Sequence, residues 1–390
     1  MELLKTTRTL DPRTGQPVDA WVVTDGTGVY LQGATSDERT LIERDVELYR
    51  LLLPARSTSS VSHLVVEPTY RCNLECPLCF THRHGEDLTI GEIAAGIDGH
   101  QGRVVSISGG EPTLRDDLPE IVRLVARRNI PLLATNGLRL ADRAYVDELR
   151  RAGLRHVTFS FNGFTEAAQL ATNGRLTLAP KLRAIENLVA ADMRFLLSML
   201  VARGGNEGEI GRVVELAAEH PRQIKEVRLR SAIPVGKHDG GVVPFFPSEM
   251  LALLCDQTGI DVREVRRELR LYRALGDRLP LGLMQKSCSF SLYLAREGAR
   301  SRPLLSLGWA RLLRLLGRAP LGALARRSIW RHDDSLLKVS IRVWPTLPGL
   351  DLQDHVSGCN SRYAAGPKRG LPVCYANILH DRGWLGGEGR

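Results

Sequence analysis

Short apolar runs alternate with helical segments between about residue 61 and residue 250, and this alternation constrains the fold most. The runs VVSISGG (104–110), PLLATNG (131–137) and HVTFSFNG (156–163) are each followed by a segment with helical periodicity. Six strand–helix units follow one another in this way. Serial units with apolar strands indicate a parallel sheet, and six are too few for a closed eight-stranded barrel. The sequence therefore predicts an open, partial (β/α)6 barrel of the α/β class.

The segment before the barrel has a different pattern. Residues 1–58 are expected to form a small N-terminal β-hairpin/helix unit. The hairpin turns at Asp25-Gly26, and RTLIERDVELYRLLL (39–53) has the spacing of an amphipathic helix. The barrel is then expected to occupy residues 59–250.

The segment after the barrel loses the repeat. Residues 251–390 are expected to form a mostly α C-terminal extension, although the end, VCYANILHDRG (373–383), has the pattern of a strand. Within it, residues 303–330 are rich in leucine and tryptophan, with interspersed arginines. A basic amphipathic segment of this kind can lie on an anionic membrane surface. Alternatively, it packs on the barrel with its arginines in solvent.

Composition restricts the compartment and the partners. No stretch of about 18 uncharged apolar residues is present, and the N-terminus lacks the apolar centre of a secretory signal. The expected location is the cytoplasm, with peripheral contact at the inner face of the membrane through the basic insert. The net charge is +9, but only 5% of the residues are aromatic. Because these aromatic residues do not interleave with the basic runs, no nucleic acid is expected as a partner.

Three of the seven cysteines lie in one short segment, RCNLECPLCF, at Cys72, Cys76 and Cys79. Thiolates favour zinc, copper(I) or iron–sulfur clusters. Three unequally spaced ligands in one loop suit a cubane in which one iron has no protein ligand, whereas structural zinc usually takes two separated pairs. Zinc with a distant fourth ligand is the alternative. His82 and His84 follow the loop and are expected to be solvated rather than ligands.

A second motif, SISGGEPTL, stands at the end of the next strand. It contains Ser108, Gly109, Gly110, Glu111 and Pro112. Two glycines let a ligand approach the backbone, and the glutamate offers a carboxylate to an ammonium group. Alone, this is an ordinary strand-to-helix turn. Its place about 30 residues after the cysteine loop, on the neighbouring strand, favours a binding site.

The pair CNLECPLC and GGEPTL resembles the radical S-adenosylmethionine (SAM) superfamily. The resemblance implies a [4Fe–4S] cluster on Cys72, Cys76 and Cys79, with SAM on the fourth iron and contacts from Gly109, Gly110 and Glu111. It also implies reductive cleavage of SAM to a 5′-deoxyadenosyl radical, with an electron donor such as flavodoxin or ferredoxin.

Polar residues at later strand ends are further candidates for SAM contacts. They are Asn136, Ser160, Asn162, Ser198 and Arg203. The local alternative for each is that it satisfies nearby backbone groups. No residue is assigned to the hydrogen-abstraction step itself.

A narrower resemblance covers the leader, residues 200–217 and the tail from Gly358. These segments resemble the tetraether lipid synthases and hydroxymethylpterin methyltransferase-like proteins. The leader LDPRTGQP lacks the cysteines of that group's rubredoxin-like site. The resemblance implies one auxiliary iron–sulfur cluster, with Cys288, Cys359 and Cys374 as its ligands. Cys255 lies in an apolar helix and is expected to be a buried core thiol.

These features favour a radical SAM enzyme that abstracts hydrogen from an unactivated C–H bond. The expected outcome is C–C bond formation or alkylation on a hydrophobic, lipid-like substrate. A second hypothesis is a tailoring enzyme or maturase that acts on a small molecule or a peptide. A third, of another class, is a non-catalytic zinc-binding module.

Overall fold

The computed structural model describes residues 1–52, 61–81, 85–236, 241–275, 288–297, 300–304, 334–357, 359–382 and 384. His82, His84 and almost all of the basic insert at 303–330 therefore lie outside the described residues. Among the helices within these ranges, none is both long and apolar enough to cross a bilayer.

The N-terminal unit is an antiparallel four-stranded sheet followed by a short helix. Its elements are β1 (Glu2–Leu10), β2 (Pro17–Thr24), β3 (Val29–Gly33), β4 (Arg39–Glu43) and α1 (Val46–Leu52). The predicted hairpin is β2–β3, and Asp25 accepts hydrogen bonds from the backbone N–H groups of Thr27 and Gly28. The predicted helix over residues 39–53 is wrong in its first part, because Arg39–Glu43 pairs with the edge of β3. The β-branched Thr40 and Ile42 favour that extended backbone.

The barrel region contains six parallel strands with helices between them. The strands are β5 (His63–Thr69), β6 (Val104–Gly109), β7 (Ile130–Thr135), β8 (His156–Ser160), β9 (Arg194–Val201) and β10 (Ile224–Ser231). The helices are α2 (Ile90–Ile97), α3 (Leu118–Ala126), α4 (Arg143–Arg151), α5 (Glu166–Asn173), α6 (Leu178–Ala190) and α7 (Ile210–Glu219). Local signals set these boundaries: for example, the Asp142 carboxylate caps α4 by accepting from Ala144 N at 2.9 Å.

The C-terminal extension adds strands to both edges of this sheet. Its elements are α8 (Pro247–Thr258), α9 (Val262–Leu275), β11 (Ser289–Glu297), β12 (Arg300–Pro303), β13 (Leu336–Arg342), β14 (Ser361–Tyr363) and α10 (Val373–Asp381). The strand order is β12-β11-β13-β10-β9-β8-β7-β6-β5-β14. Strand β13 runs parallel to β10 and antiparallel to β11, and β14 runs parallel to β5. The expectation of a mostly helical extension omitted these strands. Within the described ranges β12 and β14 do not pair, so the barrel is partial, and the α/β prediction is confirmed.

The last element corrects a prediction. The segment expected to be strand-like is helix α10, which begins directly after Pro372. Its Ala376 packs with Val65 and Tyr363 on the β5 side. Its Ile378 packs with Ile233 and other residues on the β10 and β13 side. The helix therefore contacts both sides of the open barrel, and this packing selects the helical period.

The two faces of the sheet have different chemistry. Alternate residues such as Val227, Leu229 and Val339 belong to the main apolar core with the helices. Because side chains alternate across a strand, their neighbours on β10 and β13 point into the barrel. There the bottom is closed by a small apolar cluster of Val104, Leu132 and Leu196. Above it the interior is polar and charged.

Candidate active site

The cysteine loop follows β5 at the carboxyl end of the sheet. Cys72, Cys76 and Cys79 are half-buried thiols. The loop is turned by a hydrogen bond from Cys79 N to Cys76 O (3.3 Å), and Leu74 N donates to Cys72 Sγ at 3.5 Å. Among the described residues no three Cys, His, Asp or Glu side chains already stand at metal-binding geometry.

The GGEP turn lies directly against the start of this loop. Gly110 N donates to Thr69 O at 2.9 Å, and Glu111 N donates to Arg71 O at 2.7 Å. A Cβ placed at Gly110 would collide with the carbonyl oxygens of Tyr70 and Arg71, and Gly109 has a φ of +120°. Only glycines permit this approach. The two motifs found in the sequence thus meet at neighbouring strand ends.

Glu111 is almost fully buried and holds three segments together. Its carboxylate accepts from Thr113 N (3.1 Å), Thr113 Oγ1 (2.7 Å), Thr135 Oγ1 (2.7 Å) and Asn136 N (2.7 Å). Burial raises the pKa of this carboxyl, and the hydrogen bonds act against that shift. The carboxylate therefore connects the ends of β6 and β7 by hydrogen bonds, in addition to its predicted contact with SAM.

Asn136 connects this network to the cysteine loop. Its Nδ2 donates to Asn73 Oδ1 at 2.7 Å, and Asn73 directly follows the first cysteine of the triad. Asn136 Oδ1 also accepts from Leu138 N at 3.0 Å. Asn73 was not singled out in the sequence, although its position inside the loop was a usable signal.

The other strand-end candidates divide into two groups. Ser160 and Ser198 are register partners on β8 and β9, on the strand face that points into the barrel. Asn162 is occupied by the backbone, since its Oδ1 accepts from Leu200 N at 2.9 Å. Arg203 pairs with Glu249 and lies 4.0 Å from the ring centroid of Phe245. The last two side chains thus have local partners, and all four SAM contacts stay predictions.

A buried lysine on α6 was missed in the sequence. Lys181 has no exposed surface, and its Nζ donates to Ser160 O at 2.9 Å. Burial lowers its pKa to about 8, while the negative charges of Cys76 and Glu111 act in the opposite direction. An ammonium group thus stands near both motifs. The sequence could have indicated that Lys181 is buried, because it lies on the same apolar face of a helical segment as Ala184 and Ile185.

Three later cysteines come together from distant parts of the chain. Burial raises the pKa of Cys374, and the charges of Cys288 and Cys359 raise it further. Cys288 precedes β11, Cys359 precedes β14 and Cys374 lies in the first turn of α10. Cys255 instead belongs to the apolar core, where burial raises its pKa to about 11. Cys374 therefore lies within electrostatic range of the other two candidates for an auxiliary cluster, whereas Cys255 is a core residue.

A cleft opens between the cysteine loop and the ends of β9, β10 and β13. Its enclosed part is small, about 20 Å³, and it is open on one side. Its lining residues are Leu78, Phe80, Leu200, Arg230, Ser231, Ile233, Arg342 and Trp344. Phe80 and Trp344 meet edge to face, with ring centroids 5.0 Å apart. Leu78 and Phe80 belong to the cysteine loop, so the cleft adjoins the predicted cluster.

The cofactor predicted from the sequence fits these residues. Three soft thiolate donors share one loop, which suits an iron–sulfur cluster with an open iron. The glycine pair lets the turn after β6 pack directly on the backbone that leads into the loop, which brings both motifs to one place.

Comparison with known proteins agrees with this site. Residues 66–217 match the family model described as the Radical SAM superfamily. A 7,8-dihydro-6-hydroxymethylpterin dimethyltransferase from Methanocaldococcus jannaschii is 30% identical over 197 residues, which are 47% of this chain and 38% of that protein. A probable GTP 3′,8-cyclase from Thermococcus kodakarensis is 30% identical over 220 residues, which are 54% of this chain and 70% of that protein.

The chain thus spans well under half the length of the methyltransferase. Among solved structures, Streptococcus suis SuiB is 15% identical, with a TM-score of 0.41 over 70% of each chain, a similarity too low to carry an argument. The match of 152 residues includes both motifs and runs from within β5 to within α7, so β10 lies beyond it. The chain belongs to the radical SAM superfamily and is an enzyme that uses a [4Fe–4S] cluster and SAM.

Proposed function

We propose that this enzyme abstracts hydrogen from an unactivated C–H bond of a substrate held in the cleft beside the cysteine loop. The observation that carries the proposal is the contact between the two motifs at the carboxyl edge of the sheet. Gly110 and Glu111 bond to the backbone just before Cys72, and the same loop lines the cleft. The cofactor site and the substrate space are therefore contiguous.

When bound, the cluster and SAM supply a 5′-deoxyadenosyl radical. The residues of the chain hold and shield it. Cys72, Cys76 and Cys79 would hold the cluster, and the backbone of Gly109 and Gly110 would contact the methionine end of SAM. Lys181 supplies a buried positive charge near Cys76. We propose that this ammonium group pairs with the carboxylate of SAM. Phe80 and Trp344 give the cleft an aromatic lining.

We propose C–C bond formation or alkylation as the outcome. A hydrophobic, lipid-like substrate is supported by the narrower resemblance and by the five apolar side chains in the cleft. Peripheral membrane contact rests on the basic insert, which lies outside the described residues. The tailoring of a small molecule is the second candidate, and the arginines of the cleft favour it.

We also propose an auxiliary iron–sulfur cluster on Cys288, Cys359 and Cys374. The support is that Cys374 lies within electrostatic range of both Cys288 and Cys359, and thiolates are the ligands that iron–sulfur clusters favour. Cys374→Ala should then lower the iron content of the reconstituted protein by about four atoms per chain.

Anaerobic reconstitution tests the main proposal. With reductant and SAM the protein should release 5′-deoxyadenosine, and Cys76→Ala should abolish this release. Cys255→Ala is the matched control, since that thiol lies in the core, and it should retain activity. Stoichiometric zinc in place of iron and no 5′-deoxyadenosine would instead support a non-catalytic zinc module.

A further inference from the structure

Two arginines stand side by side at the carboxyl ends of β10 and β13. Arg230 and Arg342 are register partners on these parallel strands, and both line the cleft beside the cysteine loop. Arg230 also lies 5.8 Å from the ring centroid of Phe80. Like charges at neighbouring positions of a sheet destabilise the pairing. Their presence here therefore needs a compensating group.

Within the described part of the chain, the opposite charges that act on the pair are Cys79 for Arg230, and Glu226 and Cys288 for Arg342, but neither Nε atom has a hydrogen-bond acceptor. The Nε atom of each arginine is buried and makes no hydrogen bond there. The nearby carboxylate of Glu226 is already engaged by Arg228 Nε (3.0 Å), Lys338 Nζ (3.4 Å) and Ser340 Oγ (2.6 Å). A buried donor without an acceptor costs the free energy of its desolvation.

The charge around the pair is strongly unbalanced. The interior positions of β10 and β13 carry four cations, namely Arg228, Arg230, Lys338 and Arg342, and the one carboxylate Glu226. Burial and the charge of Arg228 lower the pKa of Arg230 to about 10 and that of Arg342 to about 9. Both guanidinium groups therefore remain charged at neutral pH, and the cleft attracts anions.

We propose that Arg230 and Arg342 together bind the phosphate or carboxylate oxygens of the substrate, whose flat or apolar body lies against Phe80 and Trp344. Planar guanidinium forks match such oxyanions in pairs of hydrogen bonds. The cleft is open on one side, so the body of a bound anion can extend out of it. In this proposal the enzyme recognises its substrate by an anionic group and not by a lipid tail. The inference rests on the proposed function only in taking this ligand as the substrate.

Calorimetric titration of the anaerobically reconstituted protein tests this site. The probes are phenyl phosphate, benzoate and neutral phenol, in chloride buffer of matched ionic strength. Phenyl phosphate and benzoate should bind saturably, and phenol should not. Arg230→Met and Arg342→Met should each weaken phenyl phosphate binding about tenfold or more. Arg127→Met removes an equal charge from an exposed helix end and should leave binding unchanged.

A second arm separates a free anion from a lipid headgroup. Phosphatidylglycerol vesicles that displace phenyl phosphate would assign the same site to a headgroup, and vesicles that do not would assign it to a free anion. If a variant fails to fold, Arg230→Lys, which keeps the charge but not the fork, replaces it. It should bind phenyl phosphate more weakly than the parent, because the paired hydrogen bonds of the guanidinium fork are lost.

The proposal is overturned if phenol binds as well as phenyl phosphate, or if both Met variants bind like the parent. The release of 5′-deoxyadenosine by the unsubstituted protein is measured in parallel. Release without anion binding removes only the anion site. Anion binding without release removes only the radical reaction.

Discussion

The two walls of the barrel interior differ in how their charges are balanced. On the wall at β5 and β6, Glu111 accepts four hydrogen bonds. On the same wall Lys368 donates to Glu67 Oε2 (3.1 Å) and to Asn377 Oδ1 (3.0 Å). On the wall at β10 and β13, Arg230 and Arg342 keep buried Nε atoms that have no acceptor among the described residues.

This difference separates stability from binding. A charge that the protein itself satisfies contributes to the fold, and removing it exposes its partner to an apolar surrounding. A charge that the protein leaves unsatisfied costs stability and is retained for a ligand. The first wall should therefore respond to mutation mainly in stability, and the second mainly in ligand affinity.

The largest effect is expected on the first wall, for Lys368→Met. The substitution leaves the Glu67 carboxylate, which is 6% exposed, without its cation. Removing one partner of a buried pair costs about 3–5 kcal/mol, which urea unfolding would measure. Arg143→Met, in the half-exposed pair with Asp147 at 3.0 Å, is the control and should cost about 0.5 kcal/mol or less. Equal losses for both variants would contradict the assignment.

Glu111→Gln should have the next largest effect. The new amide brings N–H donors to a position where the surrounding groups, Thr113, Thr135 and Asn136, all donate to the native carboxylate. One unmatched buried donor costs about 1–3 kcal/mol. Glu120→Gln, on the exposed face of α3, should change the free energy of unfolding by less than about 0.5 kcal/mol. A Glu111→Gln variant as stable as the parent would argue against the tie between β6 and β7.

Features set by local sequence could be predicted. The six central strands follow from short apolar runs, and the cysteine loop and GGEP turn are fixed by their own residues. Their contact follows because neighbouring parallel strands end at one edge. Both motifs lie within about 40 residues of each other, so little tertiary information was needed.

Features set by distant partners could not. The residues of β4 have a helical spacing, yet pairing with β3 decides their conformation. The prediction of a strand for helix α10 fails because its packing against β5 and the loops after β10 and β13 is not visible in the local sequence. The pairing of Arg230 with Arg342 joins residues more than 100 positions apart. Lys181 becomes a candidate site residue only in the folded chain, where α6 brings it near Cys76.

A smaller effect on stability is expected for Arg230→Met on the second wall. In ligand-free chloride buffer the substitution removes a guanidinium group beside Arg342 whose buried Nε has no hydrogen bond among the described residues. The free energy of unfolding should stay within about 1 kcal/mol of the parent value or rise. The comparison with Lys368→Met under the same urea titration is the direct test. A loss of about 3 kcal/mol or more would mean that Arg230 stabilises the fold.

The smallest and most specific effect concerns His63, which faces the second wall from the start of β5. Burial, followed by the charges of Arg342 and Arg228, lowers its pKa from 6.5 to about 3. Since the unfolded chain takes up this proton near pH 6.5, the stability contributed by neutral His63 is present above that pH. It is lost progressively as the pH falls towards 3.

Arg342→Met removes one of these charges and should raise the pKa of His63, which narrows this window. An NMR titration of the His63 ring measures the shift, with Arg127→Met as the control of equal charge. Phenyl phosphate bound to the parent should move the pKa in the same direction, because an anion on Arg342 offsets the same positive charge. If the pKa of His63 does not change in either case, Arg342 does not act on His63, and His63 does not belong to the second wall.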